Sequence, residues 1–183
     1  MPNITDIGNS ESAFWQFSLA FYARPGVADA CLELQDKAGV DVNILLYLLF
    51  LAGQGRQLER NDIAAVDAQF RAWREQAVVP LRTLRRALKS GIAPFPATDT
   101  ETLRSAVKRI ELEAEHLEQL GLERLAPASA LGAPATTRGA AARANLAAYG
   151  EFLKGMPAAA VEILLDTYVQ AHPDDQLTPR AIP

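Results

Sequence analysis

The sequence predicts an all-α fold, a single-domain bundle of six or seven helices, and three observations lead to this prediction. Apolar residues recur at helical spacings of three and four along most of the 183 residues. No segment alternates polar and apolar residues over the length of a strand, and no Asn-Gly or Asp-Gly hairpin signal occurs. Most helical stretches are also bounded by residues typical of helix starts or by Gly and Pro.

Three helices are predicted in the first part of the chain, over about 14–22, 27–38 and 42–53. Asn9 and Ser10 are candidate N-caps for the first, and Gly39 is expected to end the second in a left-handed conformation. Asp41 is expected to cap the third helix. That helix is apolar on almost every side, which is typical of a central helix surrounded by its neighbours.

The fourth helical stretch is expected to begin at a cap on Asn61 and to reach Lys89, with Pro80 in its interior. Because proline removes a helical hydrogen bond and clashes with the preceding turn, we expect a kink or break just before Leu81. The fifth helix is predicted from about Thr100 to Leu125. Its apolar positions form a stripe at spacings of three and four: Leu103, Val107, Ile110, Ala114, Leu117 and Leu120.

The chain is expected to consist of four parts. A helical core covers 1–125, and a linker rich in Ala, Pro, Ser and Gly covers 126–137. A C-terminal helical hairpin over 138–172 is expected to pack on the core, and 173–183 form a loose tail.

Composition excludes several classes of protein. The 18 basic and 22 acidic residues give a net charge of −4, which argues against a surface built for nucleic acid or anionic membrane. Cys31 is the single cysteine, so a disulfide scaffold is excluded, and its apolar helical setting predicts a buried thiol. The start of the chain has no secretory pattern, and the apolar run Ile44–Ala52 is too short for a membrane span. A cytoplasmic location without a membrane span is therefore expected.

Six motifs, in their order along the chain, carry a family resemblance. They are FWQFSLA at 14–20, YARPGV at 22–27, CLELQ at 31–35, VDVNILL at 40–46, WR at 73–74 and PLRTLRRALK at 80–89. Together they resemble DUF2390, a family of uncharacterised bacterial proteins also defined as TIGR02444. The resemblance implies a small, helical, cytoplasmic, proteobacterial protein, and it brings no activity and no catalytic residues with it.

The chain has two histidines, and this scarcity argues against most metal sites and most kinds of nucleophilic catalysis. His116 ends a Glu-x-x-His motif that begins at Glu113, the spacing found in di-iron bundles, but such sites need a second copy of the motif. The other histidine, His172, precedes Pro173, and Cys31 lacks the electropositive surroundings of a reactive thiol. We therefore predict no metal site, no cofactor and no catalytic residues, and we expect His116 to lie on a solvated helix face.

The clearest charged feature is a basic strip, defined here as Arg82, Arg85, Arg86 and Lys89. One interpretation is a partner-binding surface, and the other is an ordinary solvated helix face or a set of cations that complement the helix dipole. The fifth helix carries an acidic counterpart in Glu111, Glu115 and Glu118. The strip and these glutamates are therefore expected either to face each other within the bundle or to mediate self-association.

A second candidate site combines aromatic and polar residues near the ends of the first three helices. Its members are Trp15, Tyr22, Arg24, Asp41 and Asn43. Asn43 is unusual, because it lies one turn into a helix that is otherwise almost entirely apolar. A buried amide must be hydrogen-bonded, so Asn43 either pins a neighbouring segment or lines a pocket.

Two functions remain open at this point. The first is a non-enzymatic protein-interaction or adaptor module, with an unknown protein partner or a second copy of the chain. The second is a small-molecule-binding protein, or an enzyme with few sequence signals, whose pocket lies near Trp15, Arg24 and Asn43. Binding of nucleic acid is not expected.

Overall fold

The structure, a computed structural model, describes residues 12–125 and 130–172. Its helices are α1 (Ala13–Tyr22), α2 (Val27–Ala38), α3 (Val42–Gly53), α4 (Arg60–Trp73), α5 (Val79–Ser90), α6 (Ala97–Arg124), α7 (Arg138–Leu153) and α8 (Ala158–Ala171). A π-helical segment, Arg74–Val78, joins α4 to α5 without a break, so the described residues form seven separate helices. The predicted all-α bundle is confirmed.

Two of the predicted helix boundaries have the expected cause. Asp41 caps α3, because its side chain accepts hydrogen bonds from the backbone N–H groups of Asn43 and Ile44. Gly39 ends α2 with a φ of 65°, a left-handed conformation that glycine adopts without a steric penalty. The candidate caps Asn9 and Ser10 lie outside the described residues, and Ser12 caps α1.

The start of α4 differs from the prediction. Asn61 lies inside α4, and Glu59 is the N-cap. The Glu59 side chain accepts from the backbone of Asp62, and the Asp62 side chain accepts from the backbone of Glu59, so the two residues form a reciprocal capping box. A glutamate at this position is less typical than Asn, which explains why the sequence favoured Asn61.

The helix does not break just before Leu81, the second of the two outcomes expected from Pro80. The proline ring clashes with the carbonyl four residues earlier, and that residue, Gln76, lies within the π-helical segment. A π turn is wider than an α turn by one residue, so it accommodates the ring while the chain remains helical. Pro80 then lies in the first turn of α5, where its missing N–H costs little.

A small antiparallel sheet, which the sequence did not predict, joins two connecting segments. Strand β1 (Arg56–Gln57) pairs with β2 (Ala133–Pro134). Strands of two residues are too short to show alternation in the sequence. Gly132 next to β2 has a φ of 58°, and a Cβ there would lie 2.2 Å from the Gln57 carbonyl oxygen, so this close approach requires glycine.

The main core surrounds α3. Leucines on several sides of this helix are fully buried, as are the aromatic rings of Phe14, Tyr149 and Tyr168. Helix α7 packs on α3, and α8 packs on α2. The Asn145 side chain also lies in this core, where it accepts from the Leu58 N–H and donates to the carbonyls of Leu48 and Arg56. A single buried amide thereby fixes the connection between α3 and α4.

Helices α5 and α6 form an antiparallel hairpin that packs mainly on itself. Two of its buried apolar side chains, Leu88 and Val107, do not belong to the main core. The C-terminal half of α6 reaches the rest of the bundle, where His116 stacks on Trp15 and Glu118 meets Asn43. The base of the hairpin is therefore the place where polar side chains from distant parts of the chain come together.

Candidate functional site

The centre of the site is Arg74, in the π-helical segment, which binds two buried carboxylates. Its Nη1 lies 2.8 Å from Asp41 Oδ2, and its Nη2 lies 2.7 Å from Asp67 Oδ1. Burial lowers the pKa of Arg74, but the hydrogen bonds and charges of the two aspartates more than offset this and raise it overall. Arg74 therefore stays charged and ties α4 to the start of α3.

A chain of buried amide and carboxyl groups extends from this centre into α6. Asn43 Nδ2 donates to Glu118 Oε2 at 3.0 Å, and Gln119 Nε2 donates to Asn43 Oδ1 at 2.9 Å. Asn43 thus pins a neighbouring segment, the first of the two roles that the sequence left open. We call Asp41, Asn43, Asp67, Arg74, Glu118 and Gln119 the polar cluster.

Glu118 is the chemically most unusual member of the polar cluster. Burial, and then the nearby Asp41 carboxylate, raises its pKa from an ordinary value of 4.5 to about 9. A hydrogen bond between the two carboxyl groups requires a proton on Glu118 and raises the pKa further, whereas the Asn43 hydrogen bond opposes the shift. Burial and the neighbouring Asp41 side chain therefore favour the protonated, neutral form of Glu118.

The basic strip and the acidic residues of α6 meet across the hairpin. Arg82 contacts both Glu111 and Glu115, at 3.2 Å and 2.7 Å. Arg85 also binds Glu111, which is buried. We call these four residues the charge bridge. The hypothesis that the two surfaces face each other is confirmed for Arg82 and Arg85.

The other two residues of the basic strip lie at the surface. Arg86 pairs with Asp36 of α2 at 2.7 Å, and both side chains are about half exposed. Lys89 is exposed. A partner-binding role for the strip stays a prediction, and its two most accessible members are Arg86 and Lys89.

A cavity of about 190 Å³ lies between the end of α2 and the π-helical segment. Among its lining residues are Gln35, Asp41, Arg74, Val78, Val79 and Arg82. It adjoins the polar cluster through Asp41 and Arg74 and the charge bridge through Arg82. Its polar lining thus includes two arginines that already bind carboxylates.

The five residues of the predicted pocket do not converge on this cavity. Of the five, Asp41 lines it, Asn43 is buried beside Glu118, and Arg24 is exposed. Tyr22 is half-buried. Trp15 is also half-buried and stacks on His116, with 4.2 Å between ring centroids.

The expectation that His116 lies on a solvated face is therefore wrong. The Trp15 ring covers it, and burial lowers its pKa. Its Nε2 is enclosed and has no hydrogen-bond partner within the described residues.

Cys31 is buried as expected, and burial raises the pKa of its thiol to about 12. It therefore lacks the thiolate that nucleophilic chemistry needs. Within 12–125 and 130–172, no three His, Cys, Asp or Glu side chains are grouped so that they could hold a metal ion. In the same ranges, no helix has both the length and the apolar character needed to cross a membrane.

The apolar stripe predicted on α6 is only partly buried. Val107 and Ala114 are buried, but Leu103, Ile110 and Leu117 are 54%, 43% and 46% exposed. Leu84 of α5 is 41% exposed. We call Leu84, Leu103, Ile110 and Leu117 the outer stripe.

Helix geometry places the outer stripe on one surface of the hairpin. Arg85 and Glu111 meet on the side that faces the bundle, because Arg82 also binds Glu111 and lines the cavity beside Gln35 of α2. Successive residues of an α-helix are turned by about 100° around its axis. In two antiparallel helices, the residues just before such a pair therefore both turn away from the pair, towards the same side of the hairpin. Leu84 and Ile110 therefore share the outer surface, and the spacing of seven keeps Leu103 and Leu117 on it.

Sequence reasoning missed Asp67, Arg74, Gln119 and Asn145 as important polar residues. For Glu118 a signal was present, because Glu111 and Glu118 lie seven residues apart on the same helix face as the buried Val107 and Ala114. Two carboxylates within an apolar face indicate buried partners rather than solvent. Their partners, Arg85 and Asn43, lie 26 and 75 residues away, a separation that no local pattern reveals.

Comparisons with known proteins bear on the same region. No curated protein and no solved structure matches the chain. The profile of DUF2390, described as a protein of unknown function, matches residues 13–122, which is more than half of the chain. The match includes the polar cluster, the charge bridge and the outer stripe. The resemblance seen in the sequence motifs is thereby confirmed, and the chain belongs to the DUF2390 family.

Proposed function

We propose that this chain is a non-enzymatic protein-interaction module whose docking surface is the outer stripe. The observation that supports this most is the row of half-exposed leucine and isoleucine side chains on one side of the α5–α6 hairpin. Contiguous exposed apolar side chains are typical of protein-interaction sites, since water contact with them is unfavourable. Helical partners commonly dock on apolar rows of this spacing.

The arrangement of charges supports the same proposal. Arg82 and Arg85, the inner half of the basic strip, already bind Glu111 and Glu115. Their charges are neutralised within the chain, so an acidic partner would have to displace these contacts. A partner on the outer stripe displaces no ion pair of the charge bridge.

Photo-crosslinking in living cells tests the docking surface. A photoreactive amino acid replaces Ile110 in one variant and Leu112 in another, which is 50% exposed on the same helix but about 200° around it. We expect a discrete crosslinked adduct from position 110 and none from position 112. Equal adducts from both positions, or none from position 110, would contradict the proposal.

Small-molecule binding is a second candidate, and the cavity beside Asp41 favours it. Its volume, about 190 Å³, suits a small metabolite, and Arg74, Arg82 and Gln35 offer hydrogen-bond donors. Val79 lines the cavity and is 42% exposed, so Val79→Trp fills the space without disturbing the main core. A metabolite that raises the melting temperature of the wild type but not of this variant would support this candidate, and equal shifts would exclude the cavity.

A further inference from the structure

Resting on the docking surface proposed above, we infer that its occupant is a second copy of this chain. The two α6 helices pack antiparallel about a twofold axis at Ile110. In this arrangement Ile110 meets its own copy, and Leu103 of each chain meets Leu117 of the other. The resulting assembly is a closed symmetric dimer.

The first argument is the symmetry of the outer stripe. Leu103 and Leu117 each lie seven residues from Ile110, which corresponds to about 10.5 Å along the helix in either direction. An antiparallel copy of the same helix therefore places a large apolar side chain opposite every member of the α6 row. A repeat of seven is also the spacing that keeps an apolar seam between two packed helices.

The second argument is the contribution of α5. Leu84 lies on the same surface as Ile110, so it contacts the second copy when the α6 helices pair. The outer surfaces of the two hairpins then pack face to face as two layers of two helices each, and both copies of Leu84 are removed from water. Removal of apolar surface from water is favourable, so a dimer that covers the exposed halves of all four members in both copies has a hydrophobic driving force.

The third argument is charge complementarity, which selects the antiparallel direction. Arg109 and Glu113 flank the apolar row and pair within one chain at 3.0 Å, with both side chains about half exposed or more. About the proposed axis, Arg109 of one copy lies within about 3 Å along the helix of Glu113 of the other. In a parallel pairing the twofold axis would run along the helices and place the Arg109–Glu113 flanks of the two copies on opposite faces of the seam, where these charges do not meet.

The mass of the protein in solution gives the first test. Light scattering from micromolar to near-millimolar concentration is expected to approach twice the chain mass of 19.8 kDa. Ile110→Glu places two like charges at the axis and is expected to leave a monomer at every concentration. Leu112→Glu, the matched control on the other side of α6, is expected to remain dimeric. A monomeric wild type, or equal effects of the two variants, would overturn the inference.

Cysteine crosslinking tests the register. Ile110→Cys is expected to form a covalent dimer under mild oxidation, because the two thiols meet at the axis, whereas Leu112→Cys is not. Leu103→Cys and Leu117→Cys are expected to crosslink with each other when mixed, and much less when each is alone. The native Cys31 is buried and does not interfere. Efficient crosslinking of Leu103→Cys with itself would overturn the antiparallel register.

The two proposals fail in different ways. A photo-crosslinked adduct at position 110 whose mass differs from two copies of the chain would preserve the docking surface and overturn self-association. The absence of any adduct at position 110, together with a monomeric wild type, would overturn both.

Discussion

Helices α3 and α5 are equally long, at twelve residues each, yet they are held in opposite ways. Nine residues of α3 are buried, from Asn43 to Ala52, whereas in α5 only Leu88 is. Helix α5 instead attaches through Arg82 and Arg85 to the carboxylates of α6. The bundle thus combines a region stabilised by apolar burial with a hairpin oriented by charge pairs, and the hairpin leaves the outer stripe exposed.

The first prediction compares the stability contributions of these two regions directly. Leu48 in α3 is fully buried, so Leu48→Ala leaves a cavity and is expected to lower the free energy of unfolding by about 2–5 kcal/mol. Leu112→Ala in the hairpin removes a half-exposed side chain and is expected to cost less than about 1 kcal/mol. Urea denaturation measures both, and similar losses would show that the two regions do not differ as described.

The second prediction concerns the ion pairs at the junction of the two regions. Arg74→Met leaves the buried Asp41 and Asp67 without their shared cation, and we expect a loss of about 3–5 kcal/mol. Arg71 also binds Asp67, but its side chain is about half exposed, so Arg71→Met is the matched control and is expected to cost less than about 1 kcal/mol. Thermal unfolding at neutral pH compares them, and equal losses would refute a central role for Arg74.

The third prediction concerns the pH dependence of the free energy of unfolding that arises from Glu118. In the unfolded chain Glu118 releases its proton near pH 4.5, while the folded chain keeps it until about pH 9. The folded state binds more protons across this range, so this carboxyl makes the protein less stable as pH rises from 4.5 towards 9, by at most about 1.4 kcal/mol per pH unit.

Glu118→Gln isolates this contribution. The amide preserves the shape, accepts from Asn43 and donates where the acid proton lies, yet it does not titrate. The variant is therefore expected to gain stability over the wild type progressively from pH 5 to pH 8. Melting temperatures of both proteins at several pH values measure the difference, and parallel profiles would show that Glu118 titrates normally.

The smallest expected effect lies at the outer contact between the hairpin and α2. Arg86 and Asp36 are about half exposed, so solvent and side-chain entropy oppose most of the Coulomb attraction. Arg86→Ala is expected to lower the free energy of unfolding by about 0.2–1 kcal/mol, with the loss disappearing at high salt. A loss as large as that of Arg74→Met would mean that the hairpin depends on this contact.

The fold was largely predictable because its signals are local. Asp41 directly precedes an apolar run and Gly39 directly follows a helix, so both boundaries could be predicted from neighbours in sequence. Glu59 was missed because its partner Asp62 has to be recognised at the same time. The two-residue strands were missed because their pairing joins positions near 56 and 133.

The candidate site was predictable only in part, for a related reason. The composition of the basic strip identified the right cations, and the glutamates of α6 were the right counterparts for Arg82 and Arg85. The polar cluster, however, depends on contacts such as Asn43 with Glu118, which lie 75 residues apart. The exposure of the outer stripe could not be predicted, because spacing alone does not reveal which side of a helix is covered.

The π-helical segment Arg74–Val78 determines how far α5 is rotated about the axis of the long helix in which both lie. One additional residue per turn rotates everything that follows by about 100° relative to an uninterrupted α-helix. That rotation decides which side of α5 carries Arg85 towards Glu111 and which side leaves Leu84 outside. Deleting one residue here would therefore turn α5 by about 100°, so that Arg85 takes the outer orientation of Leu84 and Arg86 takes the place of Arg85 opposite Glu111, although the sequence of α5 is unchanged.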